Sequence, residues 1–252
     1  MKEEVYFTST ALPPTKKGIV IKDANGYYTH PVGALDVFNT VGEFYTAKGA
    51  KDLFLGSSHF MRRVKEGVIY GENGHPVPLP GQNFRDFYRR AMTIDEKSLA
   101  CHFLDFWLDF DSCKDATGRP IVVIMARVKP FGPYASSCQE ALDNPNINSC
   151  FSIRSVTDDK MVGNVLERRL KQIVTFDLVV ESGLASARKY KSPALESYTK
   201  MPIHREELLE IVRGKDRLGI PAMEAAQDQA RVLMNLLGWS SQDNGKPAWA
   251  NW

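Results

Sequence analysis

The chain has 252 residues, 43% of them hydrophobic and 25% charged, with a formal net charge of +2. These values suit one large globular domain, or a domain with an appendage, able to bury a real core. They exclude a bulk electrostatic argument for nucleic acid or an acidic membrane surface.

The four cysteines, Cys101, Cys113, Cys138 and Cys150, show no C-x-x-C spacing. A zinc ribbon is therefore not expected, and free thiols in a reducing compartment are. The opening Met1-Lys2-Glu3-Glu4-Val5-Tyr6-Phe7 has no apolar core of a secretion signal. The longest aliphatic run, Ile121 to Ala126, is far too short to span a bilayer.

In chain order, Val5–Thr8 and Gly18–Lys22 read as short strands, and Asn25-Gly26 is a hairpin signal. From Pro31 to about Ala47, the apolar residues Ala34, Leu35, Phe38, Val41 and Tyr45 recur at helical spacing, which predicts a helix. Arg62–Tyr70 reads as a strand running into the glycine-rich turn Gly71-Glu72-Asn73-Gly74-His75-Pro76. Pro76, Pro78 and Pro80 keep the following backbone extended.

A helix is predicted over Asn83–Met92, then two apolar strands, Leu99–Phe110 and Pro120–Val128. Ser136–Leu142 reads as a short helix, and the Asn144-Pro145 turn delivers the chain to Cys150-Phe151-Ser152-Ile153-Arg154-Ser155. Strand alternation puts Phe151, Ile153 and Ser155 on one face and Cys150, Ser152 and Arg154 on the other. A further strand covers Gln172–Val180, and His204–Val212 and Ala222–Leu237 read as helices. The expected division is a strand-rich domain over 1–185, a polar linker over 186–203, and a helical region over 204–252.

A serine hydroxyl needs a neighbouring base before it can act as a nucleophile. Histidine suits that task, and a third group must fix its tautomer. Of His30, His59, His75, His102 and His204, only His75 lies in a glycine-rich turn directly before a proline. His102, inside an apolar strand, reads as a satisfied core residue. Asp177 is the one charge in Ile173-Val174-Thr175-Phe176-Asp177-Leu178-Val179-Val180, so in a buried strand it must have a partner. Spacing leaves both an arginine and a histidine open.

Three segments in this order resemble the prohead proteases of tailed bacteriophages, relatives of the herpesvirus assembly proteases. Gly71-Glu72-Asn73-Gly74-His75-Pro76 resembles that family's Gly-Glu-x-x-His-Pro segment, whose histidine is the base. Phe151-Ser152-Ile153-Arg154 resembles the nucleophile segment, with a serine two places before an arginine. Val174-Thr175-Phe176-Asp177 is similar to the strand supplying the acid. The likeness spans roughly residues 60 to 190. Ile153 stands where the family often has a second serine, and Ser155-Val156 follows where it usually has a glycine. These departures touch the oxyanion arrangement more than the nucleophile.

The resemblance implies an α+β fold: a mostly antiparallel β-barrel surrounded by helices, with a helical C-terminal tail. It implies a serine endopeptidase with Ser152 as nucleophile, His75 as base and Asp177 as its orienting acid. Arg154 would position the oxyanion loop. It also implies that no cofactor or metal is needed, and that phage scaffold and capsid proteins are cut after glutamate inside the immature capsid in the host cytoplasm. Neither nucleic acid nor membrane is an expected partner; a homo-oligomer is compatible with this reading.

The resemblance also implies self-cleavage after glutamate, with Glu196 and Glu224 as candidate sites, since Pro193-Ala194-Leu195-Glu196-Ser197 and Pro221-Ala222-Met223-Glu224-Ala225 share a pattern. Pro221 equally suits the first turn of a helix. The rival readings are a non-enzymatic capsid or tail assembly protein on a related barrel, and a metal-dependent hydrolase using His75 and His102. No H-E-x-x-H motif supports the latter.

Overall fold

A computed structural model describes residues 5–11, 20–39, 42–114, 119–180, 201–213 and 221–239. Its strands form two sheets. The first has six strands in the order β11-β1-β9-β10-β5-β4, the second five in the order β2-β3-β8-β7-β6. The strands of the first are β1 (Val5–Ala11), β4 (Val37–Phe38), β5 (Phe44–Thr46), β9 (Cys150–Val162), β10 (Val165–Val179) and β11 (Met201–Pro202). Those of the second are β2 (Ile21–Lys22), β3 (Tyr28–Leu35), β6 (Tyr70–Glu72), β7 (Leu99–Lys114) and β8 (Pro120–Pro130).

All ladders within the sheets are antiparallel except β10 with β5. The α+β class matches expectation. Among the described residues the strands divide into two sheets. β5 covers the edge of β10 only along Glu167–Arg169. Further along β10 the other sheet approaches, and a single parallel bridge, Asn73 to Leu178, joins the two.

Between the sheets lies an apolar core containing Phe103, Phe106, Phe151, Ile153, Phe176 and Leu178. Phe106 stacks on Phe176 with ring centroids 5.1 Å apart. The predicted alternation of the Ser152 strand is therefore realised, with Phe151 and Ile153 turned into this core. Six α-helices are formed among the described residues: α1 (Ala50–Leu53), α2 (His59–Lys65), α3 (Phe84–Met92), α4 (Ala135–Asp143), α5 (Arg205–Val212) and α6 (Pro221–Leu236). Helices α3, α5 and α6 share a second core with Val156 and Val174, on the outer face of β9 and β10.

Two expectations fail. Pro31–Ala47 is not a helix but β3, β4 and β5. β3 is buried along nearly its whole length, so its apolar residues follow no strict alternation and imitate helical spacing. Asp36 and Gly42, with φ of 57° and 82°, turn the chain back where a helix would have to continue. Arg62–Tyr70 is likewise not one strand. Ser58 caps α2 by accepting from the Met61 N–H at 3.1 Å, and Gly67, at φ 71°, follows the helix before β6 begins.

The predicted Asn25-Gly26 hairpin, α3, β7, β8, α4, α5 and α6 are present, β7 and β10 being longer than expected. Cys101, Cys113, Cys138 and Cys150 form no disulfide. No described helix is long and apolar enough to cross a membrane.

Candidate active site

β9 and β10 pair so that Asp177 stands directly opposite Ser152, and Thr175 opposite Arg154. Directly paired residues on antiparallel strands project to the same face. The four side chains therefore share the outer face, away from the phenylalanine core. A register shift between Ile173 and Thr175 inserts Val174. Without that bulge, period-two alternation from Ile173 would turn Asp177 inward.

His75 arrives from the other sheet. Its loop is clamped on two sides: the Gly74 N–H donates to the Leu178 carbonyl of β10 at 2.7 Å, and the Asn73 N–H to that of Ser98, just before β7, at 2.8 Å. Gly74, at φ 84°, makes the turn that a side chain would strain. Gly71 is required for a different reason. A Cβ there would lie 2.4 Å from the Phe176 carbonyl oxygen and 2.8 Å from Cys101 Sγ, so only glycine lets β6 pass this close to β10.

This brings the His75 Nδ1–H to Asp177 Oδ2 at 2.8 Å. The ring is only 10% exposed and Asp177 is fully buried. Nε2 of His75 is buried and has no hydrogen-bond partner. Ser152, 5% exposed, stands on the neighbouring strand opposite Asp177 without closing a hydrogen bond to that nitrogen. His75 and Asp177 are thus joined by a hydrogen bond, and Ser152 shares the same carboxylate neighbour.

Asp177 has both of the partners that its spacing left open. Arg154 grips it with two bonds, Nε to Oδ2 at 2.8 Å and Nη2 to Oδ1 at 2.7 Å. The Glu72 N–H adds a third, to Oδ1 at 3.0 Å. Burial would push this carboxyl up, but Arg154 and His75 outweigh it and hold it well below the usual carboxylate range.

Arg154 is itself fully buried, and its Nη1 donates to the carbonyls of Ala91 at 3.3 Å and Thr93 at 2.9 Å, at the end of α3. Its guanidinium is therefore occupied by Asp177, Glu72 and the helix end.

Glu72 is the residue that sequence reasoning passed over. It is completely buried, and its Oε1 lies 3.0 Å from both Arg90 Nη1 and Arg154 Nη2. The same oxygen accepts from the Asp95 N–H at 2.9 Å, and Oε2 meets Arg90 Nη2. Its place beside Gly71 was the available signal.

The other histidines have separate roles. His102 contacts the Gly67 carbonyl and the Tyr27 hydroxyl, each at 3.1 Å, as expected of a satisfied residue. His30 is buried against Ser149 and the Pro31 carbonyl. Ser155 is buried and pairs with Ile173, away from Asp177. Glu224 lies within α6, so Pro221 does open a helix, and Glu196 lies outside the described residues.

A loop histidine fixed by a buried carboxylate, with a strand serine beside the same carboxylate, fits a peptidase, and the chain is one. It belongs to the peptidase S80 family, which residues 7–237 match. The capsid maturation protease of Pseudomonas phage phiKZ is 34% identical over 231 residues, covering 89% of this chain and 84% of that protein. The solved structure of the bacteriophage T4 capsid assembly protease is similar at a TM-score of 0.42 and 14% identity, covering 71% of this chain and 99% of that one. The family match and the phiKZ relative bear out the resemblance to the phage prohead proteases.

Proposed function

We propose that the protein is a Ser-His-Asp endopeptidase that processes scaffold and capsid proteins during phage head maturation. It acts inside the immature capsid in the host cytoplasm and cuts after glutamate. The observation that carries this reading is the shared carboxylate: Asp177 bonds His75 Nδ1 at 2.8 Å and stands opposite Ser152 on the adjacent strand. The phiKZ relative, a capsid maturation protease, supports the substrate class. Cleavage after glutamate rests on the resemblance to the prohead proteases.

In this mechanism His75 Nε2, which has no partner in the structure, takes the Ser152 proton as the hydroxyl attacks the scissile carbonyl. Bound substrate brings the serine oxygen into reach, since catalytic hydrogen bonds often tighten only in the enzyme–substrate complex. Asp177 holds Nδ1 protonated and stabilises the imidazolium, which then protonates the leaving amine. Arg154 keeps Asp177 charged and in place.

The test is to incubate the purified protein with the capsid and scaffold proteins of its own phage. Discrete cleavage, with new C-termini ending in glutamate, is the expected result. Intact substrates after prolonged incubation would favour the structural-protein alternative, and cuts after other residues would remove the glutamate preference alone.

A further inference from the structure

Beside the proposed triad lies a second buried carboxylate that the mechanism above does not use. Glu72 and Asp177 share one cation: Arg154 Nη2 is 2.7 Å from Asp177 Oδ1 and 3.0 Å from Glu72 Oε1. The Asp177 oxygen that holds His75 also accepts from Arg154 Nε, both at 2.8 Å. Arg154 and His75 thus compete for the same oxygen. An arginine placed there, if unopposed, would drain the carboxylate of the negative potential that an imidazolium needs.

Glu72 opposes it, and Glu72 is in turn held by both Nη atoms of Arg90, whose side chain is one-third exposed. The charges alternate from the surface inward: Arg90, Glu72, Arg154, Asp177, His75. We propose that Glu72 is a positioning residue that sets the basicity of His75 by taking up part of the charge of Arg154, with Arg90 as the outer control on Glu72. This rests on the reading of His75 as the base.

The charged and titratable groups around the chain are few. Asp177 and Arg154 come from β10 and β9, Glu72 from β6 and Arg90 from α3. Arg63 of α2, which donates to the Val174 carbonyl, acts on Arg154. The Cys101 thiol of β7 lies near Asp177, pushed up by burial and Cys138. Asp95 contributes its N–H to Glu72. Of these, Arg154 bonds Asp177 through its side chain, and Glu72 and Arg90 can be changed without removing that bond.

The alternation predicts opposite signs. Glu72→Gln leaves Arg154 undiluted, so the His75 midpoint should move down. Arg90→Gln frees Glu72 to offset Arg154 more fully, so His75 should titrate higher, by a smaller shift. Loss of structure alone gives no such reversal.

The experiment is NMR titration of histidine-labelled full chain in a Ser152→Ala background, with the His75 signal assigned by its loss in His75→Gln. A lower midpoint in E72Q with a higher one in R90Q supports the proposal. Shifts of the same sign, or none, overturn it. If E72Q does not fold, R90Q decides alone: upward supports, unchanged or downward overturns. Because the readout is titration rather than cleavage, a failed protease assignment would appear separately, as undiminished cleavage by the Ser152→Ala chain.

Discussion

Ser152 and Asp177 face each other across the β9–β10 ladder, and the same aspartate holds His75 from a loop of the other sheet. Ser152 and His75, the proposed nucleophile and base, thus meet at one carboxylate, on a face whose reverse side is packed with phenylalanines. That arrangement makes each residue's contribution separable.

Ser152→Ala should abolish substrate processing and leave the fold intact, because it removes one small hydroxyl from a side chain that holds no other element in place. Ser155→Ala should be far milder, since Ser155 pairs with Ile173 rather than Asp177. Cleavage rates of the two purified variants against wild type check this, with circular dichroism confirming the fold. Wild-type activity in Ser152→Ala would remove the nucleophile assignment.

Asp177→Asn should lower the rate by about 10⁴-fold, as an amide can hold the wrong imidazole tautomer. It should also destabilise the protein, because Arg154 loses the carboxylate that offsets its burial. Breaking a buried pair from one side costs about 3–5 kcal/mol. Urea unfolding and cleavage kinetics measure the two effects independently. A rate loss below about tenfold, with the stability loss intact, would leave Asp177 a purely structural partner of Arg154.

The acid dependence of stability follows from the same carboxylate. Asp177 is held below its ordinary value of 3.8 in the fold, so the unfolded chain binds its proton at higher pH than the native one. Its contribution is fully present above that value and is lost as pH falls through it toward the depressed native value. The stability gap between wild type and Asp177→Asn should therefore narrow between about pH 5 and about pH 3. A gap unchanged across that interval would show that Asp177 is not held charged.

Much of this site was legible in the sequence because each part carries a local signature. Asp177 is a lone charge in an apolar strand, His75 follows Gly74 and precedes Pro76, and Ser152 alternates with Phe151 and Ile153. What was not legible depends on contacts between distant segments. Glu72 lies 18 residues from Arg90 and far from Arg154 in sequence, so its place beside Gly71 marks it without revealing these partners. The Val174 bulge, which decides which way Asp177 points, has no sequence mark at all. Pro31–Ala47 misled because a strand buried on both faces loses its period of two.

Gly71→Ala tests the close passage of β6 over β10. The added methyl would meet the Phe176 carbonyl oxygen at 2.4 Å, and backbone cannot yield as a flexible side chain can. The displaced segment carries Glu72 and leads into His75, so activity should fall along with thermal stability. Gly81→Ala is an informative contrast: its φ of 77° is strained for alanine, but its Cβ meets nothing within 4 Å. It should lose some stability and keep its activity. Equal activity losses in both would mean that the Gly71 contact does not position the site.

The last expectation concerns the chain as its own substrate. A peptide must lie extended across a nucleophile to be cut, so a bond inside a helix is protected until that helix unravels. The two matching stretches carry different expectations in this respect. Glu224 lies within α6, whose residues Ala226, Ala230, Leu233 and Met234 are buried in the core shared with α3, α5 and the sheet or just beside it. Glu196 belongs to Ser186–Met201, which carries Lys189, Lys191 and Lys200, shows no apolar periodicity and reads as an exposed linker. Self-cleavage is therefore expected after Glu196 and not after Glu224. Mass spectrometry of stored wild-type protein should show a fragment ending at Glu196 that is missing from Ser152→Ala, and Glu196→Gln should suppress it. Intact chains throughout an active preparation would remove this site, and a fragment ending at Glu224 instead would mean that α6 opens more readily than its burial suggests.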